Sequence, residues 1–244
     1  MGNGLYVKTV PTEIPWGLNF FGGFMKSKNS IHSLVGMAVF SALAVVIALV
    51  CQIIPPVAGF LSLDIKDAVI AMASFIYGPI SAPIIAFAAA FIEAITFSTT
   101  GWYGFIMNFA SSAVFSLTAS LIYKKFRTLN GALFGFISAV ILTTGVMLVL
   151  NTFVTPLYMQ YMGFSMTRAD VIAMIPKILM PFNFSKALLN SAVAMLLYKP
   201  LSVALSRIGF GDKRMNFVFN RNSVIILVAG TVALLVAITI LLLI

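Results

Sequence analysis

Residues 33–54 read SLVGMAVFSALAVVIALVCQII, an uncharged run rich in Ala, Val and Leu that ends at the helix-breaking pair Pro55-Pro56. An α-helix rises about 1.5 Å per residue and the hydrocarbon core of a bilayer is about 30 Å thick, so this run is long enough to cross it. The same pattern recurs along the chain. Leu63 to Tyr77 forms a shorter segment, with Asp64 and Asp67 where an N-cap and a first-turn acid favour a helix start, and Gly78-Pro79 at its end. Ile80 to Ser98 is the third span and contains the small-residue stretch Ala86 to Ala90, which lets helix backbones approach closely. Trp102 to Tyr123 is the fourth, stopped by Lys124-Lys125-Phe126-Arg127, and Gly131 to about Thr155 is the fifth, closed by Pro156. Leu157 to Met180, with Arg168, Asp170, Pro176 and Lys177, reads as mainly interfacial. A sixth span starts near Pro181 and ends between Tyr198 and Leu205, and Ser223 to Ile244 is a seventh, uncharged run.

Of the 244 residues, 61% are hydrophobic and 9% charged, whereas about a quarter of an ordinary soluble domain is charged. The composition and the repeated spans specify an all-α integral membrane protein. Its expected organisation is an N-terminal cytoplasmic tail over 1–30, a six-helix membrane domain over 31–205, a basic cytoplasmic connection over 206–222 and an additional C-terminal transmembrane helix over 223–244. The first 30 residues lack the basic, apolar and small-residue sequence of a cleavable signal, so the tail is expected to be retained.

The net charge of +9 does not mark a nucleic-acid binder, because the 15 basic residues fall at helix ends. With the N-terminus cytoplasmic, Lys8, Lys26, Lys28, Lys124, Lys125, Arg127, Lys199, Arg207, Lys213, Arg214 and Arg221 lie inside, and Lys66, Arg168, Lys177 and Lys186 lie outside. The positive-inside rule therefore predicts a cytoplasmic N-terminus and an outer C-terminus. Cys51 and His32 are the only residues of their kinds, which excludes an internal disulfide and a Cys/His metal cluster. No GxxxxGK[ST] phosphate loop, HExxH motif or convincing carboxylate pair is present, so an enzyme is not expected, and ATP-driven transport would need an ATPase on another chain.

Ionisable groups at the centre of a membrane helix cost about 2.5–3.5 kcal/mol each by insertion scales, so they normally face a partner or a cavity. Here these are Glu93 and Lys186, joined by the amides Asn108, Asn151, Asn183 and Asn190. Asn183, Lys186 and Asn190 are spaced by three and four residues and share one helix face. Two readings of Lys186 stand: it points into the bundle, or it snorkels to the outer interface. The amides likewise suit either an outward-facing polar pocket, since Asn151, Asn183 and Glu93 fall at one depth, or interhelical hydrogen bonding. Asp64 and Asp67 read as helix caps rather than ligand contacts.

Several segments resemble the riboflavin-specific S component, the substrate-binding membrane subunit of energy-coupling factor (ECF) vitamin transporters. They are Leu61 to Asp67, Tyr77-Gly-Pro79, Asn108-Phe109, Leu150-Asn-Thr-Phe153 with Pro156-Leu-Tyr158, and Pro181-Phe-Asn-Phe-Ser-Lys186, and the match covers roughly 33–200. The first two support the superfamily more than the cargo; the Leu-Asn-x-Phe and Pro-Phe-Asn-x-x-Lys segments resemble the flavin branch. The resemblance implies a six-helix bundle in a bacterial cell membrane that binds riboflavin or a related flavin as transported ligand, with no cofactor and no bound metal. It also implies a transmembrane coupling subunit and two ATPase subunits as partners, docked on the small-residue face of helix one at Ala38 and Ala42. Ligand contacts carried over by motif are Ser62, Asn151, Asn183 and Lys186. Glu93 and Asn108 join them as polar candidates, and Phe182, Phe153 and Trp102 as apolar walls. Two departures stand out: the C-terminal run and longer N-terminal tail lie beyond the family core, and Glu93 occupies a position where the family pattern has an amide or another polar residue. Other cargoes, such as a thiamine precursor, pantothenate or folate, and a partner-free secondary transporter, are the alternatives.

Overall fold

The computed structural model describes residues 30–126, 129–207 and 221–244; the tail over 1–29 and most of the basic connection, residues 208–220, lie outside them. Helices account for nearly all of what is described: α1 (Ser30–Cys51), α2 (Lys66–Tyr77), α3 (Ser81–Thr96), α4 (Gly101–Phe126), α5 (Leu129–Tyr161), α6 (Arg168–Met174), α7 (Met180–Arg207) and α8 (Arg221–Leu243). A single π turn, Ile175–Leu179, joins α6 to α7 without a break. Ile31–Cys51, Gly101–Phe126, Asn130–Tyr161 and Arg168–Tyr198 are long and apolar enough to cross a membrane, and Ser81–Thr96 and Leu227–Leu243 are apolar but shorter.

The short helix α2 is the centre of the bundle. Its residues from Lys66 to Ser74 are all buried, charged and apolar alike, because α3, α4 and α7 pack around it. Twelve residues rise only about 18 Å, too little to cross the hydrocarbon core, but a helix enclosed on every side by protein need not meet lipid. α4 packs on α3 and α5, α5 reaches α7, and α8 lies on the outer side of α7. Small residues make these approaches close. Ala86, Ala89 and Ala90 of α3 are buried, and Ala86 and Ala89 form one cluster with Met37 and Ala44 of α1 and Ile70 and Ala73 of α2. A Cβ on Gly135 of α5 would stand 2.7 Å from the Ala119 carbonyl oxygen of α4, so only glycine fits there. Outward faces carry exposed Val39, Leu43, Val46, Ile137, Ile141, Val149, Val232 and Leu235, an apolar exterior suited to lipid.

Two sequence expectations need correction. Asp64 does not cap α2: the helix starts at Lys66, Ile65 is its N-cap without a side-chain hydrogen bond, and Asp64 is engaged elsewhere. Pro156 does not close the fifth span, and α5 continues to Tyr161. A proline deprives only the carbonyl one turn back of its partner, and Pro156 is buried against neighbours that hold the last turn in place. The stop is a glycine signature instead, with Gly163 at φ +84° and Phe164 N–H donating to Met159 O at 2.9 Å. The segment Leu157 to Met180, read as mainly interfacial, is largely helical. Thr167 and Asp170 form a reciprocal capping box that starts α6, and the π turn at Pro176 carries that helix directly into α7.

Candidate functional site

The charged groups buried in this bundle gather at the start of α2. Lys186 of α7 donates to Asp64 Oδ2 at 2.7 Å and to Ser62 O at 3.3 Å. Lys66 Nζ lies 3.3 Å from the same Asp64 oxygen and 3.0 Å from the Glu93 carboxylate of α3. Glu93 Oε2 in turn accepts from Asn108 Nδ2 of α4 at 3.0 Å. Asp67 accepts hydrogen bonds from the Ser112 and Ser111 hydroxyls of α4. Asn190 is fully buried: its amide donates to Asp64 O and Lys186 O, and its Oδ1 accepts from Ala68 N at 2.9 Å. Ala68 is the third residue of α2, so a side chain from α7 makes the bond an N-cap residue would ordinarily supply. Charges enclosed this deeply are tolerated when paired, and Lys66 and Lys186 each meet a carboxylate, although Asp64 Oδ1 has no hydrogen-bond partner among the described residues.

Lys186, Asn108 and Ser111 of this network also line a partly open cavity of about 100 Å³. Phe60, Leu61 and Ser62 contribute from the loop after α1, Tyr103, Met107, Asn108 and Ser111 from α4, Met147, Asn151, Thr155 and Tyr158 from α5, and Phe182, Asn183 and Lys186 from α7. All of these segments lie at the end of the bundle away from Lys124 and Lys125, which close α4. Local helix bonds orient the amides. Asn151 Nδ2 donates to Met147 O at 2.7 Å while its Oδ1 accepts from Thr155, and Asn183 Nδ2 donates to Leu179 O at 2.7 Å, a carbonyl within the π turn. The Asn183 carbonyl oxygen is left to accept from a ligand. Lys186 uses two of its three donors on Ser62 and Asp64, which leaves one for the cavity.

Five of the six candidate residues read from the sequence, Ser62, Asn108, Asn151, Asn183 and Lys186, thus line one cavity. Glu93 stands behind them and holds Asn108. Lys186 is buried and does not reach for the interface. Of the expected apolar walls, Phe182 lines the cavity, whereas Trp102 is exposed and Phe153 is exposed beneath Arg168. Tyr103 and Tyr158, whose rings lie 6.0 Å apart, supply the aromatic surface instead. Helical spacing carried a signal for them: Tyr103, Met107 and Ser111 recur every four residues on α4, and Met147, Asn151, Thr155 and Tyr158 follow at four, four and three on α5. Ala38 and Ala42 are exposed on α1, while Met37, Ser41, Ala44 and Ala48 form its buried stripe. Among the described residues no group of three or more His, Cys, Asp or Glu could hold a metal ion.

Comparison with known proteins decides the family. The sequence model of "ECF transporter, substrate-specific component" matches residues 32–198. The chain belongs to this family of ECF transporter S components. It is 33% identical over 176 residues to the riboflavin transporter RibU of Staphylococcus aureus (strain TCH60), an alignment covering 72% of this chain and 93% of the relative. A solved S component of a bacterial ECF transporter superposes with a TM-score of 0.60 at 31% identity, over 72% of this chain and 99% of the other. The S component is a multi-pass membrane protein and a substrate-binding part of a transporter, not an enzyme. Its match ends at residue 198, before the basic connection and α8.

Proposed function

We propose that this S component binds riboflavin, or a closely related flavin, in the cavity between α4, α5 and α7 and hands it to an ATP-driven coupling module. The observation that carries the reading is the convergence of three amides, one lysine and two tyrosines on a single cavity, in a chain that resembles a riboflavin transporter across most of that protein's length. A flavin ring presents flat apolar faces for Tyr103, Tyr158 and Phe182, and an edge of carbonyls and ring nitrogens. Asn151 and Asn183 can donate to and accept from that edge, and Lys186 can donate to a carbonyl. Ser62, Asn108 and Lys186 complete the polar side, with Glu93 as the residue that positions Asn108. The electrostatics favour an uncharged ring over pantothenate or folate: Lys66 and Lys186 are opposed by Asp64, Glu93 and Asp67, so no positive charge is left over for a ligand carboxylate.

The topology fits six membrane helices, α1, α2, α3, α4, α5 and α7, followed by the additional α8, with the N-terminus in the cytoplasm and the cavity open outward. Burial strengthens the charge argument for this orientation, because Lys66 and Lys186 are internal ion-pair partners and leave Arg168 and Lys177 as the outer basic residues. Partners are one transmembrane coupling subunit and two ATPases, with exposed Ala38 and Ala42 on α1 as the docking surface. A detergent-purified preparation should carry a flavin absorption spectrum or quench the fluorescence of added riboflavin. A colourless protein that leaves the fluorescence unchanged overturns the cargo. Uptake into vesicles holding this chain alone would favour a partner-free transporter.

A further inference from the structure

Helix α8 lies beyond the residues that the family shares, and no ligand contact is assigned to it. It is nevertheless closely fitted to α7. Ala237 is completely buried, and a Cβ on Gly230 would meet the Leu196 side chain at 3.3 Å and the Ala192 carbonyl oxygen at 3.4 Å. Ala229 packs on the core cluster that includes Ala194 and Met195. About three turns further on, Leu241 enters a different cluster, formed by Leu61, Val171, Leu179 and Phe182 with Val57 and Phe60 against them. α8 therefore runs antiparallel to α7, and its end arrives behind the cavity, where Phe60, Leu61 and Phe182 are lining residues.

The segment it meets is a short hairpin, with Gly59 N–H donating to Pro56 O and Phe60 N–H to Val57 O, each at 3.3 Å. Val57 and Leu61 exchange two backbone hydrogen bonds of 3.0 Å across a tight hairpin. Within it Ala58 has φ 53° and Gly59 φ 81°, and for alanine that left-handed backbone costs about 1–2 kcal/mol. A strained turn persists when its surroundings hold it, and the apolar side chains of this hairpin find such contacts in the cluster against which Leu241 also packs.

We infer that α8 is a brace for the ligand cavity: Leu241 holds the Val57–Leu61 hairpin and Phe182 in the positions that retain the ligand. Leu241 is a positioning residue and touches no ligand itself. The role rests on the flavin-binding reading only for the identity of the ligand, so its test begins without one.

In the full-length, ligand-free protein, amide hydrogen exchange followed by mass spectrometry compares the parent with Leu241→Ala, Leu241→Met and Gly230→Leu. Exchange over residues 57–63 should accelerate by about tenfold in Leu241→Ala and Gly230→Leu, stay near the parent rate in Leu241→Met, and remain unchanged over 68–74 of α2 in all of them. Riboflavin release, followed by fluorescence, should become roughly three- to tenfold faster in the first two, with association little altered. Hairpin exchange within about twofold of the parent in Leu241→Ala overturns the inference, and so does faster exchange without faster release. If the parent binds no riboflavin, the flavin assignment falls, and the brace is judged on the exchange rates alone.

Discussion

Replacing Lys186 by methionine separates the ligand role of this residue from its structural one. The side chain donates to Asp64 at 2.7 Å and to Ser62 O at 3.3 Å, and the residue lines the cavity with one donor to spare. A hydrogen bond from a charged group contributes about 1.5–3 kcal/mol, so losing the ligand contact should weaken riboflavin binding by about 10- to 150-fold. Removing one partner of a buried ion pair typically costs about 3–5 kcal/mol, and the lower end applies here because Asp64 keeps Lys66 at 3.3 Å. The double variant Asp64→Asn with Lys186→Met removes both members of the closer pair, and Lys66 keeps Glu93 at 3.0 Å. It should regain part of the lost thermal stability and none of the lost affinity. Fluorescence quenching titrations and thermal unfolding in the same detergent read the two effects separately. Binding within about twofold of the parent in Lys186→Met would refute the reasoning, as would a double variant that recovers affinity along with stability, since the loss would then come from a disturbed fold.

Glu93→Gln should leave riboflavin affinity within about threefold, because a glutamine oxygen still accepts from Asn108, whereas Glu93→Ala should lower it by about tenfold or more; both are measured by the same titration. Asn190→Ala strips partners from the buried Asp64 carbonyl and the Ala68 amide, and should cost about 2–4 kcal/mol of stability by thermal unfolding, with affinity falling less than in Lys186→Met. Riboflavin binding should change by less than about twofold between low and high salt, since the ion pairs beneath the cavity are buried and the ring is uncharged. Tags placed at the two ends of the chain should be reached by protease from opposite sides of the membrane, the C-terminal one from outside.

The helices were legible in the sequence wherever a single residue type or a run of apolar residues sufficed. Gly78-Pro79 and the uncharged run from Ser33 to Ile54 mark ends and spans through local backbone chemistry, and the helices end there within a few residues, at Tyr77 and Cys51. The failures have one cause. Pro156 and Asp64 were read by their usual local effect, but buried neighbours hold α5 helical past the proline, and two lysines engage the aspartate. Asn190 takes over the capping bond of α2 from 122 residues away, a substitution that no local pattern announces.

The amino-acid sequence by itself determined the membrane class, the bias in basic residues and the shared helix face of Asn183, Lys186 and Asn190, because hydrophobic run length, charge placement and helical period are properties of the chain. Only the tertiary structure decided what that face meets. Lys186 could have snorkelled as well as paired, and Glu93 could have been a ligand contact as well as a support. Which of these holds depends on the side chains that α2, α3 and α4 bring within about 3 Å, a matter of how helices pack and not of how each one is composed. The same is true of α8: its composition gives an apolar helix, while its fit along α7 and the packing of Leu241 on the cluster that contains Phe182 exist only in the folded bundle.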